Sequence, residues 1–471
     1  MSYNYAALSM WSVGILVAVA AASCSSPNTS SCSSQQMISE QAETYLCEAF
    51  VALTLSLQAD YTSLHHLITV QLNQIHQVDA LYDRFVEEHS EQICVAIGQR
   101  IHALCGLCKG LSHRAHSEAM PYFATAAAAV VNVSRHLCKS SHSAMLLGRV
   151  LVFMHRMVAC LGVEAVPLVQ EVLPMLLLPG GTWDADDPVQ LINQSMIEFD
   201  RECLSTVTLL FSDVVQYYYA RLSALQSQWG HEPNSLEAPH VCLERSGLFR
   251  RYLLFIQHAV VYGCSAALYS LRSGAQLDAV LSLVLVGVTG TVPRDVSLLD
   301  ASDQNICGIV TASYGATAEA TSINKAALII LHSLVADWLL PKPLHHEALP
   351  SEVEGKFRSF LFEQALPGAM QLVSGWTISG SQMQDAGRYR LNLKDAASQA
   401  VVQELSVLLF VSIAALGPQG NSYLEQLLCA LHWPAEAALK VARLLPPHSA
   451  ATVHCFKDSF KRLVRDCAGL K

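Results

Sequence analysis

The sequence predicts an all-α fold, an α-solenoid built of HEAT-like antiparallel helix pairs. Three observations carry that expectation. Apolar residues recur with a helical period almost without interruption from Glu40 to Cys467. No alternating run bounded by Asn-Gly or Asp-Gly marks a β-hairpin. The breaks between periodic segments are short, as in LGVEAVP (161–167) and GPQGN (417–421), so neighbouring segments fold back on one another as pairs.

In chain order, the apolar period places helices at about 40–58, 62–88, 91–111, 119–137, 142–161, 164–178, 188–228, 242–271, 276–289, 320–340, 353–374, 396–416, 420–431, 435–445 and 452–467. Helix pairs recurring at about 40–47 residues are the mark of HEAT or armadillo arrays, in which each pair buries its apolar face against its neighbours. Two stretches rich in Gly, Ser, Asp and Thr interrupt the pattern, Val292–Thr321 and Ser379–Arg390, and both are expected to be long insertions. The expected organisation is therefore an N-terminal apolar and Ser-rich segment (1–39), a solenoid (40–291), a mobile insertion (292–321) and a C-terminal HEAT-like arch (322–471).

Composition bounds the function. Of 471 residues, 52% are apolar and 14% charged, so the chain has ample material for a core and a thin solvated surface. The net charge of −10 argues against simple wrapping of nucleic acid. That charge is uneven: residues 342–471 hold 13 Lys and Arg against 11 Asp and Glu, which leaves 16 against 28 in residues 1–341. The C-terminal quarter is the basic end. Fifteen cysteines scattered through apolar helical runs fit a reducing compartment better than a disulfide framework.

Residues 1–39 carry no charged side chain, and Ala6–Ser23 is an apolar run. As a secretory signal this run lacks a basic leading region, and as a membrane span it is barely long enough. It reads as a buried solenoid helix, with Ser23–Ser34 as a loop.

FMHRMVACLG (153–162) sets a histidine and an arginine side by side in an apolar helix. On the helical period Phe153, Met154, Met157, Val158 and Leu161 form one stripe, and His155 and Arg156 lie at its margin. No serine, cysteine or carboxylate is placed to make a catalytic set with them, so the pair is expected to be a boundary feature. Met157 should matter to stability and His155 hardly at all.

FMHRMVACLG followed by EVLPMLL and VQLINQSMIEF resembles the exportin-T family of transfer-RNA nuclear export receptors, within the importin-β/karyopherin superfamily. GLFRRYLLFIQHAVVYG, LDAVLSLVLVGV with AALIILHSLVADW, FLFEQALPGAM, LNLKDAASQAVVQEL and FKDSFKRLVRDC resemble later helices of the same family in the same order. The resemblance covers Glu40–Cys467 of this chain and the C-terminal part of the family. The family has a short loop where this chain has residues 289–325, and residues 376–391 are likewise expanded. The family's N-terminal repeats, which carry most of its Ran contact, have no counterpart here. The resemblance implies a receptor that binds transfer RNA cooperatively with Ran-GTP, passes nuclear pore proteins and shuttles between nucleus and cytoplasm, without a small-molecule substrate.

The residues themselves offer little chemistry. There is no Walker loop, dinucleotide fingerprint or nucleophile elbow, so neither an enzyme nor a bound cofactor is expected. Cys105 and Cys108 followed by His113 and His116 superficially resemble metal ligands, but the stretch reads as a helix running into a turn, and no metal is expected. Electrostatics remain. Lys457, Lys461 and Arg465 are spaced i, i+4, i+8 on the last helix with Arg462 beside them, although Asp458 and Asp466 dilute the charge. Arg388, Arg390 and Lys394 form a second cluster beside the second insertion. Such groups neutralise phosphates without reading sequence, which suits a receptor for many RNAs of one shape. The alternative is a HEAT-like scaffold for protein partners, tethered to a membrane through residues 6–23.

Overall fold

A computed structural model describes residues 40–56, 62–82, 90–109, 119–137, 143–177, 188–229, 238–270, 274–289, 318–340, 349–374, 391, 393–431, 433–443 and 453–467. The fold is all-α, and the described residues contain no strand. Their contacts divide the chain into two units, residues 1–213 and 214–471. The expected N-terminal helix at 6–23, most of the first insertion, all of the second, Arg388, Arg390, His113 and His116 lie outside the described residues.

The first unit contains α1 (Glu40–Ser56), α2 (Thr62–Tyr82), α3 (Ser90–Lys109), α4 (Met120–Leu137), α5 (Ser143–Leu161), α6 (Val166–Leu176), α7 (Val189–Phe199) and the start of α8 (Leu204–Trp229). Each helix packs on its next-but-one neighbour: α1, α3, α5 and α7 form one row, and α2, α4 and α6 form another against it. That alternation is what a solenoid of helix pairs requires, because a helix with one apolar stripe finds its cover on the adjoining pair. The core runs through the interface, with Ile97, Ile101, Phe123, Val150, Phe153 and Met157 fully enclosed. At Gly106 of α3 the backbones come so close that a Cβ would sit 2.7 Å from the Thr44 carbonyl oxygen of α1.

The second unit contains the rest of α8, α9 (Ala238–Val261), α10 (Gly274–Thr289), α11 (Ala318–Trp338), α12 (Ser351–Ser359), α13 (Leu366–Ser374), α14 (Ala396–Leu416), α15 (Gly420–Ala430), α16 (Ala435–Arg443) and α17 (Val453–Cys467). Here α9, α11, α14 and α17 pack in sequence. Helices α10 and α13 pack on each other and on α11 and α14, while α15 and α16 return the chain so that α17 lies on α14.

The expected helices and the observed ones differ where the backbone leaves its regular register. The stretch expected as one helix over 188–228 breaks at Asp200, whose φ of 47° is left-handed, and a 3₁₀ turn, Asp200–Cys203, separates α7 from α8. The 242–271 helix ends at Val261, because Gly263 at φ 75° turns the chain before a single turn, Ala266–Tyr269. Helix α11 begins at Ala318, inside the range expected to be insertion. The 353–374 helix contains a π turn, Phe360–Ala365, and the Phe362 carbonyl there accepts a hydrogen bond from the Tyr423 hydroxyl of α15.

Among the described residues, Ala144–Leu176 and Ala396–Ala430 are long and apolar enough by composition to cross a membrane. Left-handed glycines divide each into a packed helix pair, α5–α6 at Gly162 and α14–α15 at Gly417. In these windows 56% and 44% of the residues are buried in the packing.

Candidate functional site

Helix α17 is strongly two-faced. Phe456, Phe460, Leu463 and Val464 are buried, Phe456 against Phe410 of α14 (ring centroids 5.7 Å apart) and Phe460 stacked on Trp433 at 6.4 Å. Fixing that apolar face fixes where the cations stand. Lys457 and Lys461 occupy a half-buried shoulder, and Arg462 and Arg465 are exposed, as are Asp458 and Asp466. The helix therefore brings together the expected Lys457, Lys461 and Arg465 along one side, with Arg462 farther round.

Lys457 does not stand alone. Its ammonium acts on Glu404 of α14, and so does that of Lys325 on α11. Glu404 Oε2 lies 3.1 Å from His332 Nε2 of α11, and both side chains are about four-fifths buried. Burial is the largest influence on Glu404 and pushes its carboxyl upward, but the His332 hydrogen bond and the charges of His332, Lys457 and Lys325 together outweigh it. The carboxyl is held below its ordinary value and is ionised at neutral pH. The three consecutive helices α11, α14 and α17 thus carry a carboxylate set among cations, with Lys461 and Arg465 continuing along α17.

Sequence reasoning missed Lys325, His332 and Glu404. Lys325 and His332 stand on α11 and Glu404 on α14, each beside apolar neighbours, and their meeting depends on the packing of α11 on α14 and α14 on α17. The lone Lys325 within SINKAALIILH was the available signal.

Of the second expected cluster, Lys394 is described and exposed. It precedes Asp395, the N-cap of α14, whose carboxylate accepts from Ser398 Oγ at 2.8 Å and from the backbone amides of Ala397 and Ser398 at 2.8 and 3.3 Å. Those bonds, the Ser398 hydroxyl foremost, hold Asp395 below its ordinary value.

The expectation that His155 is merely a boundary residue needs correction. His155 Nδ1 is 2.6 Å from Gln194 Oε1 of α7, and Gln194 Nε2 donates to the His155 carbonyl at 3.4 Å. The histidine of FMHRMVACLG and the glutamine of VQLINQSMIEF thereby tie α5 to α7. Cys105 and Cys108 are buried thiols in α3, and among the described residues no group of three or more His, Cys, Asp or Glu is placed to hold a metal ion.

With this geometry in view, comparison with known proteins adds one relation. The chain is similar to Exportin-T of Oryza sativa subsp. japonica. The two are 24% identical over 200 residues, which cover 42% of this chain and 20% of that protein. The matched part is thus one fifth of the relative's length, and the relation it supports is distant and karyopherin-like. No family model matches the chain.

Proposed function

We propose that this chain is a karyopherin-like nuclear export scaffold that binds transfer RNA together with Ran-GTP and exchanges between nucleus and cytoplasm past nuclear pore proteins. The similarity to Exportin-T is the observation that carries the reading. The alternating helix rows agree with a receptor that wraps its cargo, and the cationic side of α17 agrees with contact to phosphate. No catalysed chemistry belongs to this reading. Cargo and Ran-GTP bind cooperatively on it, because each lowers the conformational cost of ordering the helical stack for the other.

Binding of transfer RNA to the chain, measured at 50 and 200 mM salt with and without Ran-GTP, tests it. Each neutralised phosphate contributes a slope of about 0.9 in log affinity against log salt, so three contacts weaken binding about 40-fold over that range. Affinity that rises with Ran-GTP and falls steeply with salt supports the reading. Absence of RNA binding at 50 mM salt refutes it and returns the chain to the protein-scaffold alternative, whose apolar contacts change little with salt.

A further inference from the structure

The outward face of α5 carries a line of side chains that the packing of the first unit leaves open. Met145, Arg149, Val152 and Arg156 follow one another at i, i+4, i+7 and i+11, so they fall within about 60° of one another around the helix and run about 16 Å along it. Apolar and cationic side chains alternate in that line. Met145 is 48% exposed, Val152 is 38% exposed, and Arg156 also faces solvent. Single apolar residues on a surface are ordinary, but these two are set in register with two arginines and make a patterned strip.

The neighbouring helices hold this line in place and extend it. The stem of Arg149 crosses over Gly98 of α3, where a Cβ would stand 3.6 Å from its Cγ, and its Nη1 donates to His102 Nδ1 of α3 at 2.9 Å. A guanidinium can only donate, so Nδ1 is the acceptor, and an imidazole carries no negative charge with which to cancel the cation it orients. Toward α7, the His155–Gln194 bonds tie the two helices, and Ile197, three residues beyond Gln194, is 45% exposed. The sign of the strip runs against its surroundings, since residues 1–341 hold 28 Asp and Glu against 16 Lys and Arg. Cations seated by packing, beside apolar side chains that are already exposed, meet a complementary surface with little loss of side-chain freedom.

We propose that this face of α5 docks one amphipathic helix of a protein partner, with two carboxylates a heptad apart facing Arg149 and Arg156 and an apolar side chain between them on Val152. The spacing carries the assignment. Arg149 and Arg156 are seven residues apart, about 10 Å along the axis, which a second helix lying nearly parallel or antiparallel matches with acids at i and i+7. The partner residue midway, at i+3 or i+4, then meets Val152, and an apolar residue one turn outside the acids reaches Met145. Nucleic acid fits the strip less well, because phosphates would engage the two arginines and leave Met145, Val152 and Ile197 against a polar backbone. The strip uses none of the cations of α17, so it stands whether or not RNA binds there.

A phage-displayed library of helical peptides of about 18 residues, selected against the full chain, tests this. Enrichment of sequences with Asp or Glu seven residues apart and an aliphatic residue between them is the expected result. A selected peptide, followed by fluorescence polarisation, should lose about tenfold or more in affinity for Val152→Asp and for Arg156→Glu. Both side chains face solvent, so the variants should keep the wild-type helical ellipticity. Changing the peptide's facing acid to lysine should restore binding to Arg156→Glu, a rescue that general loss of structure does not give, so the charge swap decides even where a variant melts lower. Enrichment of no peptide, of peptides without the paired acids, or of peptides whose affinity neither variant changes overturns the proposal. So does a transfer RNA that displaces the peptide and is itself weakened as much by Val152→Asp and Arg156→Glu, since the strip is then a nucleic-acid contact.

Discussion

Replacing Met157 with aspartate tests whether α5 is seated as described. Met157 has none of its surface exposed and lies in the continuous core that joins α1 to α7. Truncating a buried methionine costs about 2–5 kcal/mol through lost apolar contact and the cavity left behind. An unpaired carboxylate in the same place adds several kcal/mol, or draws in water and disrupts the interface. The sum rivals the whole stability of an ordinary domain, about 5–15 kcal/mol. His155→Ala, two residues away, is the control. It removes the 2.6 Å bond to Gln194, worth about 0.5–1.5 kcal/mol, and the half-exposed site lets water replace much of it. Urea titration followed by helical ellipticity should show His155→Ala with a slightly lowered midpoint and Met157→Asp with the first unit already unfolded in buffer. A Met157→Asp protein that unfolds at or above the His155→Ala midpoint would mean that the phase of α5 is wrong.

Gly98→Ala and Gly106→Ala, both inside α3, should shift stability in opposite directions. Each gains about 1 kcal/mol of helix propensity, but at Gly98 the new Cβ meets Arg149 at an ordinary 3.6 Å, whereas at Gly106 it meets the Thr44 carbonyl oxygen at 2.7 Å; thermal melts of the same sign for both would refute the close approach of α1 and α3. Glu404 has a folded value below its ordinary 4.5, so the stability it contributes is fully present above pH 4.5 and is lost as pH falls through the lower folded value. Melts of Glu404→Gln against wild type from pH 6 down to 3.5 should therefore converge toward the acid end, and a constant difference would remove the role of its neighbouring cations. Replacing Lys457, Lys461 and Arg465 together by alanine should weaken all transfer RNAs about equally and lower the salt slope by about 2–3, because phosphate contacts carry no sequence information; an unchanged slope makes these cations a solvated face.

The apolar period located the helices because a one-sided helix in a stack has no other way to bury its stripe. Phe153, Met154, Met157, Val158 and Leu161 are all buried, as their spacing requires. What the period hides is the hydrogen-bond register. The left-handed Asp200 and the π turn at Phe360–Ala365 change the backbone path without changing which residues are apolar. The site divides in the same way. The alignment of Lys457, Lys461 and Arg465 follows from one helix and was legible, whereas Glu404, His332 and Lys325 belong to helices brought together only by tertiary packing. The His155–Gln194 bond is hidden for that reason too: neither residue carries a local sign of its partner 39 positions away.

Scarcity of charge gives each ionised group on this chain unusual weight. With 14% charged residues, α17 concentrates four cations and two aspartates in fifteen positions, on a helix whose apolar face is held by stacked rings. Rigid seating lowers the entropy lost when a phosphate is captured. Glu404 acts in the other direction, because the field of Lys457 is partly offset by an ionised carboxylate on α14. Under the proposed function the two effects combine into contacts that are individually weak and collectively dependent on salt. Under that reading, cargo is held while a second partner keeps the stack ordered and is released when that partner leaves, with salt screening the contacts that remain.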